Sequence, residues 1–543
     1  MVNVADYLES QGLVSETDGH WQLQAKLNDI SLEVPESLRQ MIERQVGRLT
    51  KEEQRLLETA SVAGAEFSGA TVAAGLGGEV ERVEDWCEAL VNRGQFLRST
   101  GVETLSDGTV AGRYGFLHAL YQNVLYQRLP ATQHIRLHRR IGEHLEQTSG
   151  SRVGGIATEL ALHFEKGQDY PRTVHHLGIA AQNAMQRSAH QEAITLLTKG
   201  LELLGRFSET PENKQHELRL QILLGAAHMA LKGYAVPEVG IAYSRARMLC
   251  QQLGVDVQLY PILFGLWQFY TVRGELKTAR DLAEQLIILA QSVPDSALRL
   301  LASRSMGVIS YCQGEFVSAR EYLEQSIALY DRYQHHCLVF LHGGAEPKVH
   351  CLSWLALSLW TLGYPDQALT RIQEALALAK DLSHSYSVAF AYDFEAIVHQ
   401  FRGERQYVQE KAEAAICISI DQGFLDLQGI GAILRGWALT EPGRSNEGAV
   451  QLSQGLSVWQ ATGAEFAQPY WLALQSEVYR KLQMPEDGIN AVREAVDLGY
   501  KTGSAPTRLS CIGSRENSCW HRKAKVERQR AKVKNQKFPI LDS

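Results

Sequence analysis

The stretch 335–351 gathers His335, His336, Cys337, His342, His350 and Cys351, side chains that could ligate a soft or borderline metal. Adjacent histidines point different ways, and no spacing among the six matches a closed tetrahedral site, so the stretch reads as a loop with satisfied histidines. A phosphate cradle fares no better. The "GLGG" of residues 75–78 joins two helical patterns without a preceding strand and therefore reads as a turn, and GxxxxGK[ST] does not occur. HExxH, GxSxG and an EF-hand loop are likewise missing. The expectation is a chain without catalytic, cofactor-binding or metal-binding residues, whose chemistry is recognition.

The elements that would carry recognition follow from length and periodicity. A chain of 543 residues exceeds one hydrophobic core and must divide into domains or stack a repeat. A net charge of -7 gives no overall attraction to nucleic acid or acidic membranes, although basic residues crowd the stretch from Arg522 to Lys537. Eight cysteines without CxxC or framework spacing suit a reducing, cytoplasmic compartment. The apolar run over residues 259–270 is too short to span a bilayer, and the N-terminus lacks a signal-peptide pattern, so no membrane association is expected.

Gly274, Gly314, Gly363, Gly403 and Gly443 each separate two helical patterns, and Gln483 takes the sixth place. The spacing is 40 residues throughout, except for one interval of 49 that holds the loop "YQHHCLVFLHGGAEPKVHC". Small residues recur around each mark: Gly307, Ala356, Ala396, Gly436 and Ser476 before it, Ala319, Ala368 and Gly448 just after, then Ser326, Ala375, Ala415, Gly455 and Ala495. Such residues let two antiparallel helices approach, while Leu323, Ile372, Leu452 and Val492 fill the seam. Earlier copies occur at Ala181, Ala193 and Gly200, and around "GYAVPEVGIAYSRARMLC". Small, small at +12 and small at +19 on eight helix-turn-helix units resembles the tetratricopeptide repeat (TPR), with longer helices than that family's usual repeat of about 34 residues.

The N-terminal third is organised differently. Leu38, Ile42 and Val46 make one helix face, Thr50 and Glu53 form a capping box for the next helix, and further helices begin near Gly69 and Val80. "GQFLRST" and "TVAGRYGFLH" then read as two strands, and this order predicts a winged helix. Its candidate recognition helix, "EVERVEDWCEALVNRG", carries Glu79, Glu81, Glu84, Asp85 and Glu88, a composition that phosphates would repel. Arg136, Arg139 and Arg140 make a basic turn that reads as a solvated face or a domain contact.

The strings "PESLRQMIERQVGRL", "EEQRLLETASVAGAEFS", "YGFLHALYQNVLYQRLP" and "RLHRRIGEHLE" resemble the segment that follows the nucleotide-binding module in bacterial STAND-type regulatory ATPases. That resemblance implies a winged helix followed by a TPR sensor, with the P-loop ATPase itself outside this chain. The expected fold is all-α: residues 1–34 a remnant of the ATPase module, 35–150 a winged-helix-like domain with a small β-hairpin and a linker helix, 151–503 an α-solenoid of TPR-like helix pairs, and 504–543 an aberrant or disordered basic tail.

The expected function is a non-catalytic sensor and protein-interaction module of a STAND-type signalling or transcriptional regulator. It would take a protein or small effector in the TPR groove and associate with an ATPase or cyclase module. Inner-face positions three before the first-helix small residue, Arg304, Ser353 and Asp393, with His350 beside them, are the candidate partner contacts. Trp267, Trp354, Trp360 and Trp437 are expected mostly in the core, with one or two lining the groove. The alternatives are a nucleic-acid-binding regulator acting through the winged helix and basic tail, which the acidic helix disfavours, and the regulatory part of a nucleotide cyclase.

Residues 508–522, "RLSCIGSRENSCWHR", break the ruler. Read one base out of frame, Cys511, Cys519 and Trp520 contribute a middle T, and Ser514 and Ser518 do so with most of their codons. A middle T encodes an apolar residue, which restores a helix stripe. The expectation is a frameshifted repeat helix in a fragment of a longer gene, with the competing reading a polar tail. The last intact helix pair would then lack a neighbour, leaving Trp471 and Tyr479 partly exposed.

Overall fold

The computed structural model describes residues 14–17, 20–23 and 36–504, apart from 105–107, 109, 255–258, 336–343 and 441–443. Most of the expected ATPase remnant, the tail with "RLSCIGSRENSCWHR", and His336, Cys337, His342 and Gly443 lie outside the described residues. The described chain is largely helical, with little sheet, and divides into two compact units between Asn183 and Ala184.

In the first unit, β1 (Val14–Thr17) and β2 (His20–Leu23) pair as an antiparallel hairpin. Next come α1 (Glu36–Val46), α2 (Lys51–Ala63), β3 (Glu66–Ser68), α3 (Gly69–Leu76), α4 (Val80–Asn92), β4 (Leu97–Thr104) and β5 (Val110–Phe116). The sequence predicts a two-stranded hairpin here; the structure adds β3, giving an antiparallel sheet of order β3-β5-β4 with Phe67 opposite Tyr114 and Leu97 opposite Phe116. Three residues between two helices carry too little pattern to be read as a strand. The core joins Leu56, Leu57, Val83 and Leu90 to Phe67, Phe96, Tyr114 and Phe116. Glu84 faces the sheet rather than solvent, accepting from the Gly112 amide at 2.7 Å. Gly77 caps α3 in the left-handed region (φ 71°), so "GLGG" is a turn.

Thr50 accepts from the Glu53 amide at 3.2 Å and Glu53 accepts from the Thr50 amide at 2.9 Å, the capping box the sequence predicts. Burial alone would raise the Glu53 carboxyl, but those bonds and the Arg93 guanidinium outweigh it and hold it below its usual range. Thr50→Ala exposes an unpaired helix amide, and we expect about 1 kcal/mol lower stability in urea titrations. An unchanged midpoint would show that the box contributes nothing.

Helices α5 (Ala119–Arg128), α6 (Ala131–Ser149) and α7 (Ala157–Lys166) complete the first unit. The basic turn on α6 meets carbonyls: Arg139 donates to Gly167 O at 3.1 Å and Arg140 to Gly75 O at 3.3 Å. Helix α8 (Tyr170–Gln186) contains the division between the units.

The second unit opens with α9 (His190–Leu204) and continues as seven helix pairs: α10/α11 (Pro211–Lys232, Pro237–Leu253), α12/α13 (Leu259–Val272, Leu276–Ser292) and α14/α15 (Ser296–Gln313, Phe316–Leu329). After the short α16 (Arg332–His335) follow α17/α18 (Pro347–Thr361, Pro365–Asp381), α19/α20 (Ser385–Arg402, Arg405–Gln422), α21/α22 (Leu425–Ala438, Ser445–Ala461) and α23/α24 (Gln468–Lys481, Pro485–Thr502). This is a solenoid of TPR-like pairs. Gly274, Gly314, Gly363 and Gly403 all end a first helix at positive φ, and so does Gln483 at 58° in the sixth place. Leu323, Ile372 and Leu452 are fully buried in the seams. Backbone meets backbone closely at Gly436, where an added Cβ would lie 2.5 Å from the Leu452 amide nitrogen.

Trp267, at the first-helix station that small residues hold in the other pairs, is buried, while Gly225 of α10 and Gly265 of α12 close on the Tyr243 ring of α11 from both sides. One expectation changes. Trp471 is buried, not partly exposed: its ring packs edge-on against Trp459 of the preceding pair at 6.1 Å and beside Tyr470. Tyr479 is partly exposed, as expected.

Candidate functional site

First helices of successive pairs pack on one another along the array, so α12, α14, α17, α19, α21 and α23 form its inner layer. The coil tightens until its turns meet. Val272 O, at the end of α12, accepts from the amides of Glu465 at 2.9 Å and Phe466 at 3.1 Å, between α22 and α23. Ala235, in the α10–α11 turn, packs beside Gly463. Phe466 then sits between Trp354 and Trp459, with ring centroids 6.0 and 6.1 Å away. The groove lined by the inner layer is bridged where these turns meet, and the bridged stretch is its lumen.

Arg304 projects from α14 and is 3% exposed. Its Cζ lies 5.4 Å from the Phe264 ring centroid, its Nε has no hydrogen-bond partner, and no carboxylate among the described residues stands within ion-pair distance. Burial pulls this guanidinium below its usual range. Glu346 is near enough to act on Arg304 electrostatically, yet its Oε2 accepts from the Val349 amide at 3.0 Å as the cap of α17.

His350, on α17, faces the same space. Its ring stacks on Phe390 at 5.3 Å, its Nε2 accepts from Trp354 Nε1 at 3.3 Å, and its Nδ1 is buried without a partner. Burial and the Arg304 charge hold it well below the ordinary histidine range, so it is neutral at physiological pH. Tyr234, from the α10–α11 turn, reaches across to Gly344 and to Tyr386, which donates to Asp426 Oδ2 at 2.6 Å. Tyr234, Tyr260, His350, Tyr386 and Asp426 are half-buried.

Of the four residues singled out from the sequence, the structure brings Arg304 and His350 together at the lumen. Asp393 is wholly buried between α19 and α21, both its oxygens lack partners, and burial with the Asp426 charge raises it well above the carboxylate range. Ser353 stands apart, its hydroxyl turned back onto Val349 O at 2.8 Å. His335, once a metal candidate, accepts from the Asp331 amide at 2.9 Å and contacts Ser296 Oγ at 3.0 Å. Among the described residues no group of three or more His, Cys, Asp and Glu is placed to hold a metal. Trp267, Trp354 and Trp437 are buried and Trp360 partly so.

Sequence reasoning missed Tyr234, Tyr260, Tyr386 and Asp426. A signal existed for two of them: Glu346, Tyr386, Asp426 and Phe466 share one station of the forty-residue ruler, the entrance to each first helix. Tyr234 lies on a turn outside that register.

No family model matches the chain. A curated relative, the uncharacterized protein R02095 of Rhizobium meliloti (strain 1021), is 25% identical over 421 residues, or 77% of this chain and 40% of the relative. The chain thus spans well under half the length of the relative it matches. Among solved structures, a Rap protein complexed with Competence and Sporulation Factor is similar at 14% identity and TM-score 0.45, covering 61% of this chain and 98% of that one. The STAND protein with a tetratricopeptide repeat sensor from Pyrococcus horikoshii is similar at 10% identity and TM-score 0.43, covering 85% and 66%. NprR in complex with its cognate peptide NprX is similar at 14% identity and TM-score 0.43, covering 63% and 92%. At these identities the likeness is one of fold. No helix among the described residues is long and apolar enough to cross a membrane.

Proposed function

We propose that this chain is the sensing and partner-binding portion of a STAND-type signalling regulator, that it works without catalysis in the cytoplasm, and that it receives its protein or small-molecule effector in the lumen of the helix-pair array. The reading is carried by Arg304, a buried cation of the inner layer whose Nε has no partner and which no described carboxylate meets at ion-pair distance. A buried charge without a counter-charge destabilises a fold, so its place there is best explained by what it meets. Arg304 and His350 contact the effector, Asp393 lies behind them, and Ser353 belongs to the supporting helix. Residues 35–150 act as a structural winged helix coupling the array to an ATPase or cyclase module carried elsewhere, the short strands 14–17 and 20–23 belonging to that module's end, and 504–543 as a tail outside the array.

The test replaces Phe390, on the lumen wall, with the photo-crosslinker p-benzoylphenylalanine in producing cells, and Val317, 60% exposed on α15, as the outer-face control. Irradiation is expected to give discrete adducts from position 390 and none from 317. Equal labelling from both would remove the lumen from the mechanism. Salt-sensitive DNA binding that disappears on truncation after Gly503 would replace the reading with a nucleic-acid-binding regulator.

A further inference from the structure

We infer that the lumen takes a monoanionic carboxylate attached to an aromatic or apolar group, the carboxylate on Arg304 and the attached group against His350 and Phe390. The inference rests on the lumen being the effector site and adds the ligand's chemical class.

Three observations carry it. Arg304 is almost wholly enclosed, and no described residue accepts a hydrogen bond from its guanidinium, so donors in fork geometry are available for a planar oxyanion. Among the described residues, Cys351, Tyr234, Tyr260 and Glu346 act on this cation, and its charge in turn bears on His350. One guanidinium balances at most one negative charge and Glu346 already offsets part of it, so a phosphate dianion would bring more uncompensated charge into an enclosed space than a monoanion does. Next to the guanidinium, Phe264 lies beneath it at 5.4 Å and the His350–Phe390 stack forms a flat apolar wall. The neutral His350 ring adds no charge of its own.

The decisive probes are phenylacetate, its neutral isostere phenylacetamide, and inorganic phosphate, titrated into the full chain with thermal melting and calorimetry as readouts. Phenylacetate is expected to raise the melting temperature saturably and to bind at least about tenfold more tightly than phenylacetamide, with phosphate silent. Arg304→Gln and Arg304→Met should each remove the preference for acid over amide. Arg304→Met should also melt no lower than the wild type without probe, because it replaces an uncompensated buried charge with an apolar side chain of similar length. Should Arg304→Gln not fold, the wild-type comparison of acid, amide and phosphate decides alone. Equal binding of acid and amide, phosphate matching phenylacetate, no response to any probe, or an acid preference that survives Arg304→Met would each overturn the assignment. Crosslinking from position 390 reports on the lumen independently, so adducts there alongside any of these results would leave the effector site standing and remove only the carboxylate.

Discussion

Alanine at Gly436 lowers the stability of the helical array by about 3 kcal/mol, the upper end of what one misplaced methyl costs in a packed interior. A Cβ at that position would lie 2.5 Å from the Leu452 amide nitrogen and 2.7 Å from Gly448 O. Gly448 meets the same limit from the other side, where its own Cβ would be 2.5 Å from Gly436 O. These obstacles are backbone atoms of the facing helix, so no rotamer relieves the clash and α21 and α22 must separate. Gly499, in α24, is the control: a Cβ there meets nothing nearer than Ser504 at 3.8 Å, and alanine should be neutral or slightly stabilising through helix propensity. Urea titrations followed by circular dichroism compare the two. If Gly436→Ala stays within 1 kcal/mol of wild type, roughly the ordinary effect of a surface change, the seam is looser than described.

Mild acid destabilises the first unit before its carboxylates titrate. His138 and His163, on α6 and α7, are 4% and 3% exposed, and their Nδ1 atoms are 3.1 Å apart. Tyr126 contacts His138 Nε2 at 3.0 Å, so a consistent arrangement has the phenol donating to Nε2 and His138 Nδ1–H donating to His163. That relay requires both rings neutral. Burial, reinforced by the neighbouring His163, His134 and Lys166, lowers His138 to about 3, and burial lowers His163 to about 4. Unfolded histidines protonate near 6.5, so below that pH the unfolded chain binds protons the native one refuses and stability falls with pH until the native pKa values are reached. Between pH 6.5 and 5 the pair should cost roughly 3 kcal/mol. His163→Gln can accept from His138 without titrating and should flatten the profile by about half. Imidazole NMR should show both rings neutral at pH 5; protonation of either near pH 6, or an unaltered slope in His163→Gln, would refute the account.

The array was legible because its periodicity is repeated in the chain: Gly274, Gly314, Gly363 and Gly403 mark turns that only a left-handed residue closes readily. A second ruler passed unnoticed. Ser383, Gly423, Gly463 and Gly503 recur at 40 residues and end the second helices, also at positive φ. It was hidden because its first member is a serine. The candidate site was half legible. Arg304 and His350 follow from counting back from small residues, but whether they face solvent or an enclosed space depends on how far the coil tightens, a property of accumulated small rotations that no single repeat encodes. Tyr234 reaches the lumen only because α10 ends where the coil returns. Trp471 departs from its expected exposure for a related reason: its ring packs on Trp459 of the pair before it, a contact that the spacing of its own repeat does not encode.

The hydrogen bonds from Glu465 and Phe466 to Val272 O join residues made far apart in time. At cellular rates of about 5–20 residues per second, roughly 10–40 seconds pass between the synthesis of the two partners. Through the later part of that interval the growing chain carries Trp354 without the Phe466 ring that packs on it in the finished array. A nascent chain of this kind is an extended client for ribosome-associated chaperones, and messages cut short before codon 466 would yield helix pairs that form but never enclose anything. Quality control could therefore distinguish finished from unfinished copies by one event, the arrival of the α22–α23 turn.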